Sequence, residues 1–175
     1  MVVEFDVIVS IDLINDFVTG KLGRPKFKKV VKATRELIEG SRKFTVLVQD
    51  SHSKGDPEIR VWGNHAMEGK KGSETVPELK GIAQVIKKHT YDAFFNTNLE
   101  DVLVKHGVKR AIFCGVVTDI CIVHSVASAF FRGFRPIIVE ECTDAYSPTE
   151  KKRVLEYMRK NYGAKIISLT DILPK

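Results

Sequence analysis

Phe5-Asp6-Val7-Ile8-Val9-Ser10-Ile11-Asp12 is an apolar run, rich in Val and Ile, that ends on a carboxylate. Apolar residues here do not alternate with polar ones, so both faces of the segment must be covered, as in a strand of a parallel sheet. Residues 44–48, 111–114 and 136–139 have the same character, and 84–88 and 165–168 are weaker copies of it. Between them lie segments of helical period: 26–39 after Pro25, 99–106 after Thr97-Asn98, 120–131 after Thr118-Asp119, and 149–162 after Ser147-Pro148. Gly40, Gly107, Gly133 and Gly163 fall where carboxyl-terminal caps belong. The alternation predicts an α/β fold of three layers, α/β/α, around a mostly parallel, roughly six-stranded doubly wound sheet.

Its 175 residues, 43% of them hydrophobic, suffice for one core and are too few for two, so a single domain spanning 1–175 is expected. The acids Glu4 and Asp6 stand where a signal peptide needs basic residues, and no apolar run approaches the ~20 residues of a membrane span. A cytoplasmic protein without a membrane partner is expected. The net charge of +6 is spread over every predicted helix, with Lys26-Phe27-Lys28-Lys29 the densest cluster, which reads as a solvated face and gives no reason to expect nucleic acid. Three cysteines, at 114, 121 and 142, form no CxxC pair, so neither a disulfide framework nor a cysteine zinc site is expected.

An open α/β sheet binds ligands beyond the carboxyl ends of its strands. There the sequence places Asp12 after the first strand, Asp50 and His52 after the second, Lys88 at the end of the third, and residues 117–121 after the fourth. If Thr118 is a helix N-cap, Cys121 lies in a first turn, where free amides and the helix dipole favour a thiolate. By base rate an isolated cysteine is more often a small buried hydrophobe. Cys114, inside a strand, takes that reading, and Cys142 sits in an acidic stretch that disfavours its thiolate. Asp12 suits the base that a thiol needs, or else caps a turn; Lys88 suits the cation that holds the carboxylate ionised, or else is a surface lysine. Asp50, His52 and His65 suit Zn²⁺ or a similar ion, or else hydrogen-bond the loop backbone. His89, His106 and His124 are given only structural roles.

The chain resembles the isochorismatase-like cysteine hydrolases, the family of nicotinamidases and N-carbamoylsarcosine amidase. The resemblance is carried by residues 9–17, by Gln49-Asp50-Ser51-His52, by Trp62-Gly63-Asn64-His65 with Gly72-Ser73-Glu74, by residues 88–99, and by Gly115-Val116-Val117-Thr118-Asp119-Ile120-Cys121. It implies Asp12, Lys88 and Cys121 as catalytic residues and Asp50, His52 and His65 as metal ligands, with zinc the expected ion. A cis peptide is implied between Val116 and Val117, so that the N–H groups of Val117 and Cys121 form an oxyanion hole. Phe17, Trp62 and Tyr91 are the expected walls of the substrate pocket, and relatives often form homo-oligomers.

Nicotinamidases usually carry Gln where this chain has Ile14 and Trp-Pro where it has Trp62-Gly63, while Asp56-Pro57-Glu58-Ile59-Arg60 looks like the N-carbamoylsarcosine amidase-like relatives. The expected reaction is hydrolysis of a small amide through a Cys121 thioester. A nicotinamide-type substrate is preferred because an open metal position and Trp62 suit a flat ring with a neutral donor. The alternative is an N-carbamoyl or ureido compound, whose carboxylate Arg60 could bind. A catalytically silent metal-binding or scaffolding relative is the alternative of another class.

Overall fold

The computed structural model describes residues 3–173. Its centre is one six-stranded sheet of β1 (Val7–Ile11), β2 (Phe44–Asp50), β3 (Gln84–Lys88), β4 (Arg110–Val116), β5 (Arg135–Asp144) and β6 (Lys165–Ile167). The strand order is 3-2-1-4-5-6 and every pairing is parallel. The predicted three-layer fold is present, with the helices α1 (Asn15–Val18), α2 (Phe27–Ser41), α3 (Pro57–Trp62), α4 (Leu99–Lys105), α5 (Val123–Phe131) and α6 (Pro148–Tyr162) between the strands.

All five residues of β1 are buried, Ser10 included, as its nearly continuous apolar run required. Ile8 on one face joins Ile112, Cys114, Ile137 and Val139 beneath Phe27, Val30 and Leu37 of α2. Val7, Val9 and Ile11 on the other join Val46, Val48 and Phe113 beneath Leu103 of α4, Val126 of α5 and Met158 of α6. The two faces thus receive alternate side chains of the same strands, which is why a strand of this kind reads as continuous rather than alternating apolar.

Strand order reverses between β1 and β4, where a crevice opens at the carboxyl edge. Gly115 makes this crossing possible: its φ is +113°, and a Cβ there would sit 1.9 Å from the Ile11 carbonyl oxygen. Only a residue without a side chain lets β4 run so close beside β1.

Some local expectations need correction. Gly40 is not a cap; it lies inside α2, where Leu173 packs so closely that a Cβ would meet it at 2.7 Å, and Arg42 takes the left-handed cap instead at φ 53°. Cys142 lies in no acidic loop, because β5 continues through it to Asp144 and buries it completely. Residues 118–122 form a separate π-helical turn before α5, with Val117 rather than Thr118 at its N-cap. The Thr118 hydroxyl pairs instead with that of Thr143, at 2.8 Å.

Candidate active site

β1, β3 and the turn after β4 bring Asp12, Lys88 and Cys121 together below the crevice. Asp12 and Lys88 are fully buried and Cys121 is 4% exposed. The Asp12 backbone is left-handed, at φ 57°, and its N–H donates to Val48 O at 2.9 Å, which turns the chain sharply off the strand. Asp50 N–H donates to Asp12 Oδ1 at 2.8 Å, and Lys88 Nζ stands 2.7 Å from Asp12 Oδ2. Lys88 Nζ also donates to Asp50 Oδ1 and lies 3.8 Å from Cys121 Sγ.

The electrostatics differ from the helix-dipole expectation for Cys121. Burial dominates, and with the charges of Asp12 and Asp50 it raises the thiol pKa well above the usual range despite Lys88. The resting thiol therefore keeps its proton and needs a base. Burial, then repulsion from Asp50, raises Asp12 to about 7 against the pull of Lys88. Burial also works against the Lys88 charge, but Asp12 and Asp50 outweigh it and hold the ammonium. A carboxylate poised near neutrality, a thiol that must be deprotonated and a fixed cation can together move a proton and steady a developing negative charge.

Beside them lies a second cluster. Potential ligand atoms of Asp50, His52, Glu58 and His65 all fall within 4.8 Å of one another, and all four residues are buried. Asp50 Oδ2, His52 Nε2, Glu58 Oε1 and His65 Nε2 have no hydrogen-bond partner. The other ring nitrogens are engaged: His52 Nδ1 lies 3.1 Å from Asp56 Oδ2, and His65 Nδ1 lies 2.7 Å from Gly63 O. Each ring thus donates from Nδ1 and turns Nε2 toward the cluster, an arrangement typical of metal-binding histidines. Burial opposes a charge on His52, but with no cation among them Asp50, Glu58 and Asp56 push its pKa up to about 10, so an ion that binds there displaces the proton on Nε2. The donor set, two imidazoles and two carboxylates, fits a divalent ion.

Glu58 was missed in the sequence. Its signal was a carboxylate just behind the Pro57 that starts α3, between His52 and His65 in the chain. Asp56 had no predicted role either, yet it accepts from Ser53 and lies within hydrogen-bond distance of both His52 and His89. His106 and His124 bond the backbone carbonyls of Val102 and Ile120, one turn earlier, at 2.8 and 2.6 Å.

Phe17, Trp62 and Tyr91 do wall a cavity with Cys121, together with Leu22, Glu58, His65, Val117, Ile120 and Tyr146. Trp62 Nε1 donates to Tyr91 Oη at 2.9 Å, locking one wall. Arg60 is exposed on α3 and does not line this cavity. The Val116–Val117 peptide is cis. A larger groove of about 840 Å³ lies along the start of β5, lined by Phe130, Phe134, Arg135 and Lys165, and contains none of these groups.

Residues 6–171 match the Isochorismatase domain family. The chain belongs to that family. It is 35% identical to the N-carbamoylsarcosine amidase of Thermoplasma acidophilum, over 95% of this chain and 97% of the other, with a TM-score of 0.87. It is 26% identical to the nicotinamidase PncA of Bacillus subtilis, over 94% and 100% of the two chains, with a TM-score of 0.83. It is also 26% identical to the pyrazinamidase of Pyrococcus horikoshii, solved in complex with zinc, over 94% and 99%, with a TM-score of 0.84. For this isochorismatase-family chain, the likeness extends over nearly the full length of both partners.

Proposed function

We propose that this protein is an amidohydrolase that cleaves the C–N bond of a small amide through a Cys121 thioester. The observation that carries the proposal is the buried convergence of Asp12, Lys88 and Cys121 beside one cavity. Relatives named as nicotinamidase, pyrazinamidase and N-carbamoylsarcosine amidase support the reaction class.

Asp12 takes the Cys121 proton as the sulfur attacks the amide carbonyl, and Lys88 steadies the thiolate as it forms. The N–H groups of Val117 and Cys121 receive the oxyanion. Protonated Asp12 then gives its proton to the leaving nitrogen, the C–N bond breaks, and ammonia or an amine departs. Asp12, again a carboxylate, draws a proton from water, which attacks the thioester and releases the acid and the thiol.

Asp50, His52, Glu58 and His65 would hold a divalent ion, with zinc supported by the Pyrococcus relative. Such an ion supplies Lewis acidity and a docking point for a neutral donor atom of the substrate. Phe17, Trp62 and Tyr91 give the cavity aromatic walls, and among the described residues no lysine or arginine lines it. That composition favours a flat, uncharged amide of the nicotinamide type. The second reading, an N-carbamoyl compound, rests on the 35% identity to the Thermoplasma amidase. Its carboxylate would find no partner in Arg60.

The test is ammonia release from nicotinamide, pyrazinamide, N-carbamoylsarcosine and ureido acids, with kcat/KM compared in the parent and in Arg60→Ala. Turnover of nicotinamide, unaffected by Arg60→Ala, supports the first reading. A carbamoyl substrate that alone turns over and is disabled by Arg60→Ala replaces it with the second, and no ammonia from any compound favours a silent metal-binding or scaffolding relative.

We place the protein in the cytoplasm as a homo-oligomer and read residues 1–175 as one domain. No described helix is long and apolar enough to cross a membrane.

A further inference from the structure

The cavity beside Cys121 is nearly closed. The space that a water-sized molecule's centre can reach in it is about 20 Å³. That admits one or two waters and is far below the ~300 Å³ at the low end of small-molecule sites. A substrate can enter only if part of the lining moves.

The lining elements are not equally free to do so. Phe17 is buried on α1, Val117 and Ile120 stand at the π turn, and Trp62 is tied to Tyr91. Leu22 is carried on an exposed turn, Thr19-Gly20-Lys21-Leu22-Gly23-Arg24-Pro25, in which Thr19, Gly20, Lys21, Arg24 and Pro25 face solvent. The stem of this turn is anchored to α1, with Gly20 N–H donating to Asn15 O at 2.7 Å and Leu22 N–H to Asp16 O at 2.9 Å.

Its tip is held from two other elements. Tyr146, beyond β5, donates its hydroxyl to Leu22 O at 3.0 Å, and the Arg24 guanidinium lies 4.9 Å from the centre of the Tyr146 ring. On the other side Lys21 Nζ donates to Asn64 O at 2.6 Å, next to His65. The Lys21 bond is exposed and the Tyr146 bond is half-buried, and each is a single hydrogen bond that can open without unfolding its surroundings.

We propose that residues 19–25 are a lid, latched by Tyr146 and Lys21, and that Leu22 and Tyr146 select by size the amides that reach Cys121. The proposal rests on Cys121 as the nucleophile, but its test needs no turnover. Substrate is admitted in the open state, and closure over it holds the amide carbonyl against Cys121.

The test is the alkylation rate of Cys121, followed by mass spectrometry of its peptide, with iodoacetamide and with the bulkier N-phenylmaleimide. Tyr146→Phe keeps the ring and removes the latch, so alkylation should quicken about two- to tenfold, the worth of one hydrogen bond. Lys21→Ala, at an exposed bond, should act in the same direction with a smaller effect. Leu22→Ala should raise the ratio of the maleimide rate to the iodoacetamide rate roughly tenfold or more. This ratio cancels any change in the reactivity of the thiolate itself. Unchanged rates in Tyr146→Phe and Lys21→Ala, with an unchanged ratio in Leu22→Ala, overturn the lid even if an amide is hydrolysed. The expected rates without hydrolysis of any amide leave the lid standing and remove the proposed reaction.

Discussion

Cys121, Asp12 and Lys88 are three charges or potential charges buried where none could stand alone, since an isolated buried ion is expensive. Their mutual contacts make the arrangement stable, and one member can change protonation while the others compensate. Cys121→Ala is expected to abolish ammonia release with the melting temperature shifted by no more than a few degrees; full activity in that variant removes the nucleophile assignment. Asp12 must be ionised to accept a proton, and burial raises its pKa to about 7. The rate should therefore be full above this value and fall about tenfold per pH unit below it. A kcat/KM profile flat from pH 5 to 8 would deny Asp12 the role of base, as would Asp12→Asn retaining more than about 1% of activity. At the neighbouring cluster, plasma emission should find close to one divalent ion per chain. His65→Ala should lose it because it removes a donor atom, and Glu58→Gln should weaken its retention against a chelator by about 10-fold or more because it removes a negative charge from the ligand set. Undiminished retention in Glu58→Gln restricts the ligands to Asp50, His52 and His65.

At the scale of elements, the site depends on how β1 and β4 separate at the crevice. Phe113 of β4 is fully buried against Phe94, with ring centres 6.3 Å apart, and anchors the strand that leads into Val116, Val117 and the turn carrying Cys121. Phe113→Ala should destabilise the fold by about 3–5 kcal/mol through the cavity it leaves. In a chain of this size that lowers the melting temperature by roughly 6–20 °C. A shift under 3 °C would mean that the sheet face collapses to fill the space. Gly115→Ala is a sterner case, since the added methyl meets the backbone of Ile11 and no rotamer relieves it. The strand would have to move, taking Cys121 with it, so activity should fall even in whatever fraction stays folded.

Over the whole molecule, both sheet faces are covered, and three of the exposed large apolar residues, Phe130, Phe131 and Tyr157, sit together on α5 and α6. Phe131 is 72% exposed and touches Phe130 and Tyr162 edge-on, while Tyr157 packs against Tyr162. Aromatics left in solvent as a cluster are typical of a surface that another chain covers. Light scattering of the parent should give more than one chain per particle, and the double variant Phe131→Ser, Tyr157→Ser should shift it toward the monomer. A monomeric parent would leave the homo-oligomer without support. None of the proposed catalytic or metal-binding residues belongs to this cluster, so the monomeric variant should retain the ammonia-release rate of the parent.

The sequence by itself determined the layers and the strands, because burial on both faces leaves a mark that neighbours in the chain carry: nearly continuous apolar residues in β1, β2 and β4, and helical stripes after Pro25 and Pro148. It also placed Asp12, Lys88 and residues 117–121 at one edge, since every carboxyl end of a parallel sheet lies on the same side. Only the tertiary structure decided what those groups feel. The thiol of Cys121 is raised by burial where its position near a helix start suggested the opposite, and this depends on Asp12 and Asp50 arriving from other strands. Glu58 joined the proposed metal-binding cluster, and Leu22 and Tyr146 met at the cavity, through contacts between segments whose local sequence says nothing of one another. Gly40 looked like a cap and proved to be a packing glycine for the same reason: Leu173, which crowds it, is more than 130 residues away in the chain.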